Sequence, residues 1–306
     1  MAGALSSRGC RRLRGAQLKD LLKEKHCVLF DCDGVIWNGE KPVAGAPEVV
    51  NMLKKRGKSV FFVTNNCTRP RESYVQKFLR LGFKDVVQSE ILSSSYCSAI
   101  YLRDVAKLQG KVYVIGCDGV HKELREAGVQ FIEDDAAVPG ATISDCPLES
   151  DVRAVLVGYD DELNFLKLAK ACCYLRNPDC LFLATDRDPW HPLRGGRVTP
   201  GSGSLAAALE TAAERKATVI GKPSRFMFQC IASQFGVDPR RAIMVGDRLE
   251  TDILFGWSCG VDTVLTLTGV STLEQAQAYR DSLAPEKAIC VPDYVVDSIA
   301  DFLPAL

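Results

Sequence analysis

Chemically active side chains directly follow four apolar segments of the sequence, at points where strands would end. In chain order these side chains belong to Asp31-Cys32-Asp33, Thr64-Asn65-Asn66, Gly221-Lys222 and Gly246-Asp247. Ligands of open parallel sheets bind beyond the carboxyl ends of the strands. We therefore expect these carboxylates, amides, hydroxyl and ammonium to meet at one edge of a sheet.

The carboxylates of this set indicate a divalent cation. Asp31 and Asp33 would share one face of a continued strand, and two negative charges so close are unfavourable without a cation or a shared proton. Asp247 adds a third carboxylate, and oxygen ligands favour Mg²⁺ over Zn²⁺. A calcium-binding loop is disfavoured because its sixth position would be Ile36 instead of glycine. Taken alone, the two aspartates could also form a strand-end turn or cap.

The remaining polar side chains of the set could bind an anion. Lys222 could neutralise the carboxylates and hold a phosphoryl oxygen, while Thr64 offers a hydroxyl and Asn65 a backbone N–H where a helix should begin. Asp252 is expected to cap or orient the helix that follows, in support of the ligands. Alternatively, Lys222 is a solvated charge and Thr64-Asn65-Asn66 is a helix N-cap with an Asx-turn.

Short apolar runs alternate with segments of helical periodicity along almost the whole chain. The runs predict strands at 27–30, 59–63, 112–115, 154–157, 181–184, 218–220, 242–245, 263–267 and 294–296. The segments between them predict helices at 46–56, 70–81, 119–127, 165–175, 204–215 and 226–235. Continuous apolar strands separated by helices indicate parallel sheets covered on both faces, and hence an α/β fold.

The spacing of the strands predicts two domains. Residues 110–215 contain their own strand–helix repeats and interrupt the strands that carry the polar residues. We interpret this segment as an α/β cap inserted into a discontinuous core of residues 19–109 and 216–306. Residues 1–18 are predicted to be a flexible, solvated tail.

The composition excludes several classes of protein. The 306 residues are 47% hydrophobic and 25% charged, as in globular proteins. Lysine and arginine together number 38, as do aspartate and glutamate, so net charge does not favour nucleic-acid binding. No uncharged apolar run approaches the ~18 residues of a membrane span. Thirteen scattered cysteines without a CxxC pair favour reduced thiols in the cytoplasm.

The strand-end motifs resemble those of a known enzyme family. Phe-Asp31-Cys-Asp33-Gly-Val, Val-Thr64-Asn65-Asn66, Gly-Lys222-Pro and Val-Gly-Asp247-Arg-Leu-Glu-Thr-Asp252 are similar, in order, to the four motifs of the haloacid-dehalogenase-type phosphatases. The resemblance covers roughly residues 19–306. It implies a Rossmann-like core, and the segment between the second and third motifs is similar to a C2-type cap.

The resemblance also implies a mechanism and roles for residues. Asp31 would be the nucleophile that forms an aspartyl-phosphate, and Asp33 the general acid and base. Mg²⁺ would be held by Asp31, Asp247 and the backbone carbonyl of Asp33. The phosphoryl oxygens would be stabilised by Lys222, by Thr64 and by the region of Asn65 and Asn66.

Two further segments bear on the substrate. The segment Ala184-Thr-Asp-Arg-Asp-Pro-Trp190-His191-Pro-Leu is similar to the cap loop of family members that hydrolyse pyridoxal 5′-phosphate. The resemblance implies that His191 contacts the pyridine ring, whereas Trp190 is expected to pack in the cap core. The alternative for His191 is an exposed loop residue. The C-terminal segment resembles family members acting on phosphoglycolate or glycerol 3-phosphate, so that substrate class stays open.

The family resemblance also suggests what this protein binds. The expected ligand is a small-molecule phosphomonoester, with phosphoproteins as a further candidate substrate and a protein-binding regulator as the alternative from another functional class. The small residues Ala207 and Ala208 on a predicted cap helix, together with the family resemblance, favour a homodimer formed through the cap.

Overall fold

The structure, a computed structural model, describes residues 9–132, 144 and 146–306. The chain folds as two compact units. The first comprises the described residues of Met1–Thr64 together with Glu72–Leu92 and Lys222–Leu306, and the second comprises Asn65–Arg71 and the described residues of Ser93–Gly221. Among the described residues, no helix is both long and apolar enough to span a bilayer.

The strands and helices are numbered along the chain. The strands are β1 (Arg11–Arg12), β2 (Cys27–Phe30), β3 (Trp37–Asn38), β4 (Lys41–Pro42), β5 (Ser59–Thr64), β6 (Ile91–Ser93), β7 (Lys111–Ile115), β8 (Val152–Val157), β9 (Leu181–Ala184), β10 (Trp190–Pro192), β11 (Val198–Pro200), β12 (Thr218–Val219), β13 (Ala242–Gly246), β14 (Asp262–Thr266) and β15 (Tyr294–Val296). The α-helices are α1 (Ala16–Glu24), α2 (Ala46–Lys55), α3 (Arg71–Arg80), α4 (Ser94–Ile100), α5 (Asp118–Glu126), α6 (Phe165–Leu175), α7 (Ser202–Ala213), α8 (Phe226–Phe235), α9 (Leu254–Cys259), α10 (Leu273–Arg280) and α11 (Pro285–Ala288).

The first unit is built on a seven-stranded sheet in the order β1-β15-β14-β13-β2-β5-β6. All neighbouring pairs in the series β1-β15-β14-β13-β2-β5 run parallel. Every residue of β2 and β13 is buried, because core side chains cover both faces of these central strands. One covering cluster includes Leu18, Val49 and Phe302, and another includes Leu249 and Ala276.

The second unit has its own parallel sheet in the order β12-β9-β8-β7. Its core contains Tyr113, Val155 and Phe182 from the strands and Leu205 and Leu209 from α7. A separate antiparallel hairpin joins β10 to β11 and pairs His191 with Thr199. Trp190 on this hairpin is 39% exposed, so the expectation that it packs in the core is wrong.

The predicted α/β class is confirmed, and all nine predicted strands occur at nearly the expected positions. The limits of the two units differ from the predicted domain limits. The strand at Thr218–Val219, predicted as part of the core, is hydrogen-bonded to β9 of the second sheet. The second unit accordingly extends to Gly221, and it also includes Asn65–Arg71 and the segment from Ser93 onward.

The expectation of a flexible tail over residues 1–18 is wrong from residue 9 onward, while residues 1–8 lie outside the described part of the chain. Arg11–Arg12 form an edge strand paired in parallel with β15. The backbone N–H of Leu13 donates to the carbonyl of Val295 at 3.0 Å, and the Leu13 side chain is buried. Backbone pairing with the sheet therefore orders this basic segment.

Candidate active site

Two carboxylates leave the carboxyl ends of neighbouring strands in the first unit. Asp31 follows β2 and Asp247 follows β13, and these strands are adjacent in the sheet. The backbone N–H of Asp31 donates to the carbonyl of Val245 at 2.9 Å, which extends the pairing by one residue. Both carboxylates are buried, with Asp31 8% exposed. The strand-end reasoning thus correctly brings these two residues together.

Lys222 joins this cluster as a buried ammonium that is only 2% exposed. Its Nζ donates to Asp31 Oδ1 at 2.6 Å and to Asp252 Oδ1 at 2.7 Å. Although burial lowers the pKa of Lys222, the carboxylates of Asp252 and Asp31 outweigh it and raise the pKa overall. Lys222 is therefore a charged ammonium in a fixed position, and not a solvated lysine.

Asp252 fixes both the lysine and the turn after β13. Its Oδ2 accepts hydrogen bonds from the backbone N–H groups of Asp247 and Arg248, each at 3.0 Å. Its other oxygen accepts from Lys222. With both oxygens engaged in this way, Asp252 supports the neighbouring groups.

Burial and mutual repulsion disfavour the ionised forms of Asp31 and Asp247. Burial raises the pKa of Asp31 well above its usual value, the charges of Asp252 and Asp247 raise it further, and the Lys222 ammonium opposes them. Burial and the charge of Asp252 raise the pKa of Asp247 to about 7, against the hydrogen bond from the Val270 N–H. Crowded, buried carboxylates of this kind are stabilised by a cation.

The donor set fits a hard divalent cation. One oxygen each of Asp31, Asp247 and Asp252 can be chosen so that all lie within 4.8 Å of one another. Carboxylate oxygens at such spacing are the ligands that Mg²⁺ prefers. Because Asp252 already accepts from Lys222 and from two backbone N–H groups, Asp31 and Asp247 are the side chains suited to hold the ion.

Two glycines allow the backbone to approach Asp247 closely. Gly34 has a φ of +88°, and a Cβ at this position would lie 2.5 Å from Asp247 Oδ2. A Cβ at Gly269 would overlap the same carboxylate. The Val270 N–H donates to Asp247 Oδ2 at 2.7 Å. Asp247 is therefore held by backbone groups in a space where side chains larger than hydrogen do not fit.

Asp33 is exposed, unlike the three buried carboxylates, and it has a partner that the sequence analysis missed. Its side chain is exposed, and its Oδ1 accepts a hydrogen bond from Trp37 Nε1 at 2.9 Å. Trp37 is fully buried and stacks on Tyr74 at a centroid distance of 6.1 Å. A rigid indole therefore orients this carboxylate. The available signal was a tryptophan four residues after Asp33, in the turn that follows the first motif.

Thr64 is the last residue of β5 and is buried. The register of β5 pairs Phe62 with Phe30 of β2, so Thr64 lies beyond that pair at the same end of the sheet as Asp31. Its hydroxyl is therefore at the expected sheet edge.

The other predicted residues line a cavity of the second unit. Asn65, Asn66 and His191 share this cavity of about 180 Å³ with a further set of side chains, Cys67, Thr68, Tyr159, Leu193, Thr199 and Ser202. The rings of His191 and Tyr159 meet edge to face at a centroid distance of 5.8 Å. Tyr159 was missed by the sequence analysis, although it follows the apolar strand β8 and the strand-end rule applied to the second sheet would have found it.

Asn66 also adopts the turn that was left open as an alternative. Its Oδ1 accepts from the backbone N–H of Thr68 at 3.0 Å and from Thr68 Oγ1 at 2.6 Å, which is an Asx-turn. The backbone carbonyl of Asn65 accepts from Ser94 Oγ at 2.7 Å. These bonds make the wall of the cavity rigid.

The sequence was compared with models of protein families and with known proteins. A family model described as haloacid dehalogenase-like hydrolase matches residues 28–130, and a second, described as HAD-hydrolase-like, matches residues 219–302. Chronophin of Bos taurus is 53% identical over 301 residues, which cover 97% of this chain and 98% of that protein. The chain belongs to the haloacid dehalogenase-like hydrolases.

Other members of these hydrolases are similar over nearly the whole chain. Glycerol-3-phosphate phosphatase of Gallus gallus is 48% identical, with 99% of each protein covered. A glycerol phosphate phosphatase of Mycobacterium tuberculosis, solved in complex with magnesium, superposes with a TM-score of 0.74 at 25% identity, covering 94% of this chain and 78% of that one. The predicted family is confirmed, and the chain is a phosphoric monoester hydrolase.

Proposed function

We propose that this chain is a Mg²⁺-dependent phosphatase that hydrolyses pyridoxal 5′-phosphate through an aspartyl-phosphate on Asp31. The observation that carries the chemistry is the bridging of Asp31 and Asp252 by the Lys222 ammonium beside Asp247. The substrate is supported by the His191 loop and by the similarity to chronophin, a pyridoxal phosphate phosphatase. The alternative is glycerol 3-phosphate or phosphoglycolate, supported by the similarity to glycerol-3-phosphate phosphatase.

The nucleophile in this proposal is the carboxylate of Asp31. Its attack on phosphorus forms an aspartyl-phosphate and divides a difficult hydrolysis into two easier steps. The hydrogen bond from Lys222 orients Asp31 Oδ1, and the ammonium offsets negative charge on the phosphoryl group as it transfers. Thr64, Asn65 and Asn66 are proposed to bind the substrate.

Asp33 is proposed as the general acid and base. It protonates the leaving alkoxide in the first step, and it accepts a proton from the water that hydrolyses the aspartyl-phosphate in the second. The Trp37 indole N–H fixes the orientation of its carboxylate.

Magnesium would be held by Asp31, Asp247 and the backbone carbonyl of Asp33, with Asp252 keeping the surrounding groups in place. When bound, the ion neutralises charge on the carboxylates and on the phosphate ester. The magnesium complex of the Mycobacterium tuberculosis relative supports this choice of metal.

A panel of substrates tests the proposed activity. At equal concentrations of pyridoxal 5′-phosphate, glycerol 3-phosphate and 2-phosphoglycolate, kcat/KM should be highest for pyridoxal 5′-phosphate. Chelation of divalent ions should abolish turnover, and added Mg²⁺ should restore it, because the crowded carboxylates need a cation. A higher kcat/KM for either of the other esters would select the alternative substrate. Turnover that survives chelation would contradict the metal requirement.

Substitution of His191 tests the contact with the pyridine ring. We expect His191→Ala to lower kcat/KM for pyridoxal 5′-phosphate by about tenfold, since a stacked or hydrogen-bonded ring contact contributes about 1–1.5 kcal/mol. Activity on p-nitrophenyl phosphate should change by less than about twofold, because its ring lacks the pyridine nitrogen and the hydroxyl and formyl groups that an imidazole can hydrogen-bond. The control is His121→Ala, since His121 stacks on Phe131 at 5.1 Å and does not line the cavity. Equal losses on both esters would count against ring recognition.

Phosphoproteins are retained as a further proposed substrate, and a protein-binding regulator as the alternative function. Activity on a folded phosphoprotein, assayed beside the small-molecule panel, separates a metabolite phosphatase from a phosphoprotein phosphatase. A purely binding role would leave partner binding unchanged when Asp31 is replaced by Asn.

We also propose that the protein is a cytoplasmic homodimer. Ala207 and Ala208 lie exposed on α7 and offer small side chains for close approach of a second copy. The thirteen scattered cysteines, without a CxxC pair, support a reducing compartment. A monomeric mass in light scattering at micromolar concentration would reject the dimer.

A further inference from the structure

Ser202 carries a buried hydroxyl that has no hydrogen-bond partner within the part of the chain that the structure describes. The residue is 1% exposed, and its Oγ is a buried side-chain polar atom left unpartnered among the described residues. Ser202 lines the cavity that also contains His191 and Tyr159. Buried hydroxyl groups are almost always satisfied, and an unsatisfied one calls for an explanation such as a binding role.

The backbone around Ser202 is held firmly in place. Ser202 is the first residue of α7, and the flanking Gly203 N–H donates to the carbonyl of Asp188 at 3.0 Å. A Cβ at Gly201 or Gly203 would overlap the backbone oxygens of Asp188 and Arg187 respectively. The first turn of the helix is thus pressed against the 187–188 backbone. It cannot shift easily to give the Ser202 hydroxyl a partner.

Other hydroxyl groups in the same region have partners. Ser204, one half-turn further along α7, donates to the carbonyl of Pro189 at 2.6 Å. Thr68 Oγ1 donates to Asn66 Oδ1 at 2.6 Å. The Ser202 hydroxyl therefore differs from these neighbours in lacking a hydrogen bond, which a bound ligand could supply. A polar ligand atom in the cavity would satisfy it and recover the cost of its burial.

We propose that Ser202 is a specificity-determining residue, whose hydroxyl hydrogen-bonds an oxygen substituent on the ring of the substrate. This inference rests on the proposed function, since it names how the same substrate is recognised. The side chains that line the cavity are neutral amides, hydroxyls, a thiol, an aliphatic group and the His191 and Tyr159 rings. Such a wall suits an uncharged planar ring with hydrogen-bonding oxygens. The unpartnered Ser202 hydroxyl supplies the directional contact that aromatic stacking lacks.

The test compares Ser202→Ala with Ser204→Ala, a hydroxyl deletion in the same helical turn. Ser202→Ala should raise KM for pyridoxal 5′-phosphate about fivefold to tenfold, the usual effect of losing one hydrogen bond. The value of kcat, and both constants for p-nitrophenyl phosphate, should change by less than about twofold. Ser204→Ala should leave KM for pyridoxal 5′-phosphate within about twofold of wild type, because its hydroxyl already has a protein partner.

Substrate analogues identify the ring oxygen that Ser202 contacts. Pyridoxal 5′-phosphate analogues lacking the 3-hydroxyl or the 4-formyl oxygen are assayed with wild type and with Ser202→Ala. The analogue without the contacted oxygen should show no further rise in KM on substitution, because the pair is already broken. If both analogues still show the full effect of Ser202→Ala, a hydrogen bond to a ring oxygen is contradicted.

A second readout separates recognition from a structural role. Ser202→Ala should raise the melting temperature of the ligand-free protein by about 2 °C, because it removes an unsatisfied buried hydroxyl. If Ser202→Ala hydrolyses pyridoxal 5′-phosphate with the KM of the wild type, the proposed role of Ser202 is refuted. The proposed function of the protein would still stand. If the wild type does not hydrolyse pyridoxal 5′-phosphate, the proposed function fails, and the recognition of its ring by Ser202 fails with it.

Discussion

Asp31→Asn is expected to lower phosphatase turnover by at least about four orders of magnitude, the scale of loss when a covalent nucleophile is removed. The amide keeps the shape of the side chain and can still accept the Lys222 hydrogen bond, but it cannot attack phosphorus. Acid quenching of the wild type during turnover should trap phosphate on the peptide that contains Asp31. The same treatment of the variant should trap none.

The fold should survive this substitution. Because burial raises the pKa of Asp31 in the folded state, the stability that this group contributes is present at low pH and is lost as pH rises. At neutral pH its ionised form opposes folding. Asp31→Asn should therefore unfold at no lower a temperature than wild type in metal-free buffer. Asp20→Asn, at an exposed ion pair with Lys23, is the control for activity. Substantial turnover by Asp31→Asn would refute the nucleophile.

Lys222→Met should remove both activity and much of the stability. The ammonium is 2% exposed and bonded to two carboxylates, so its loss leaves Asp31 and Asp252 buried without their cation. Removing one partner of a buried ionic cluster costs about 3–5 kcal/mol. The free energy of unfolding, measured by denaturant titration without metal, should fall by that amount at neutral pH. The deficit should shrink as pH falls, because the Asp31 carboxylate, whose pKa burial raises, becomes protonated.

Two further variants make this prediction specific. Adding Asp252→Asn to Lys222→Met removes one of the uncompensated charges and should restore part of the stability without restoring turnover. Lys23→Met, at a lysine whose side chain is 67% exposed and pairs with the exposed Asp20, should change stability by less than about 0.5 kcal/mol. A wild-type unfolding curve for Lys222→Met would show that the buried ammonium does not balance the carboxylates.

Much of the first unit could be predicted because its central strands have a simple pattern. The segments that became β2 and β13 are continuous apolar runs, and the strand-end rule then brings Asp31 and Asp247 together without knowledge of side-chain contacts. The contact of Lys222 with Asp31 does not follow from that rule, because the strand before Lys222, β12, pairs with β9 in the second sheet. Strand β1 could not be predicted, since the two arginines in Arg11–Arg12 have no apolar pattern and are ordered only by pairing with β15. Local sequence contains no information about such a distant partner.

The finer parts of the site depend on tertiary contacts. Nothing in the spacing of residues indicates that the Trp37 indole donates a hydrogen bond to Asp33, or that the Ser202 hydroxyl has no partner among the residues described. Likewise, strand β12 is only two residues long, and its sheet is decided by hydrogen bonds to β9. Periodicity predicts that an element exists, but the choice between two neighbouring sheets depends on packing that one sequence does not reveal.

The pairing of Arg11–Arg12 with β15 has a practical consequence for handling the protein. Strand β1 closes the edge of the seven-stranded sheet, and Leu13 anchors it in the core. Deleting these residues from a shortened recombinant protein would leave the backbone N–H and C=O groups of Tyr294–Val296 unpaired. Such an exposed edge strand can pair with other chains and cause aggregation. An affinity tag should therefore be added without removing Arg11–Leu13.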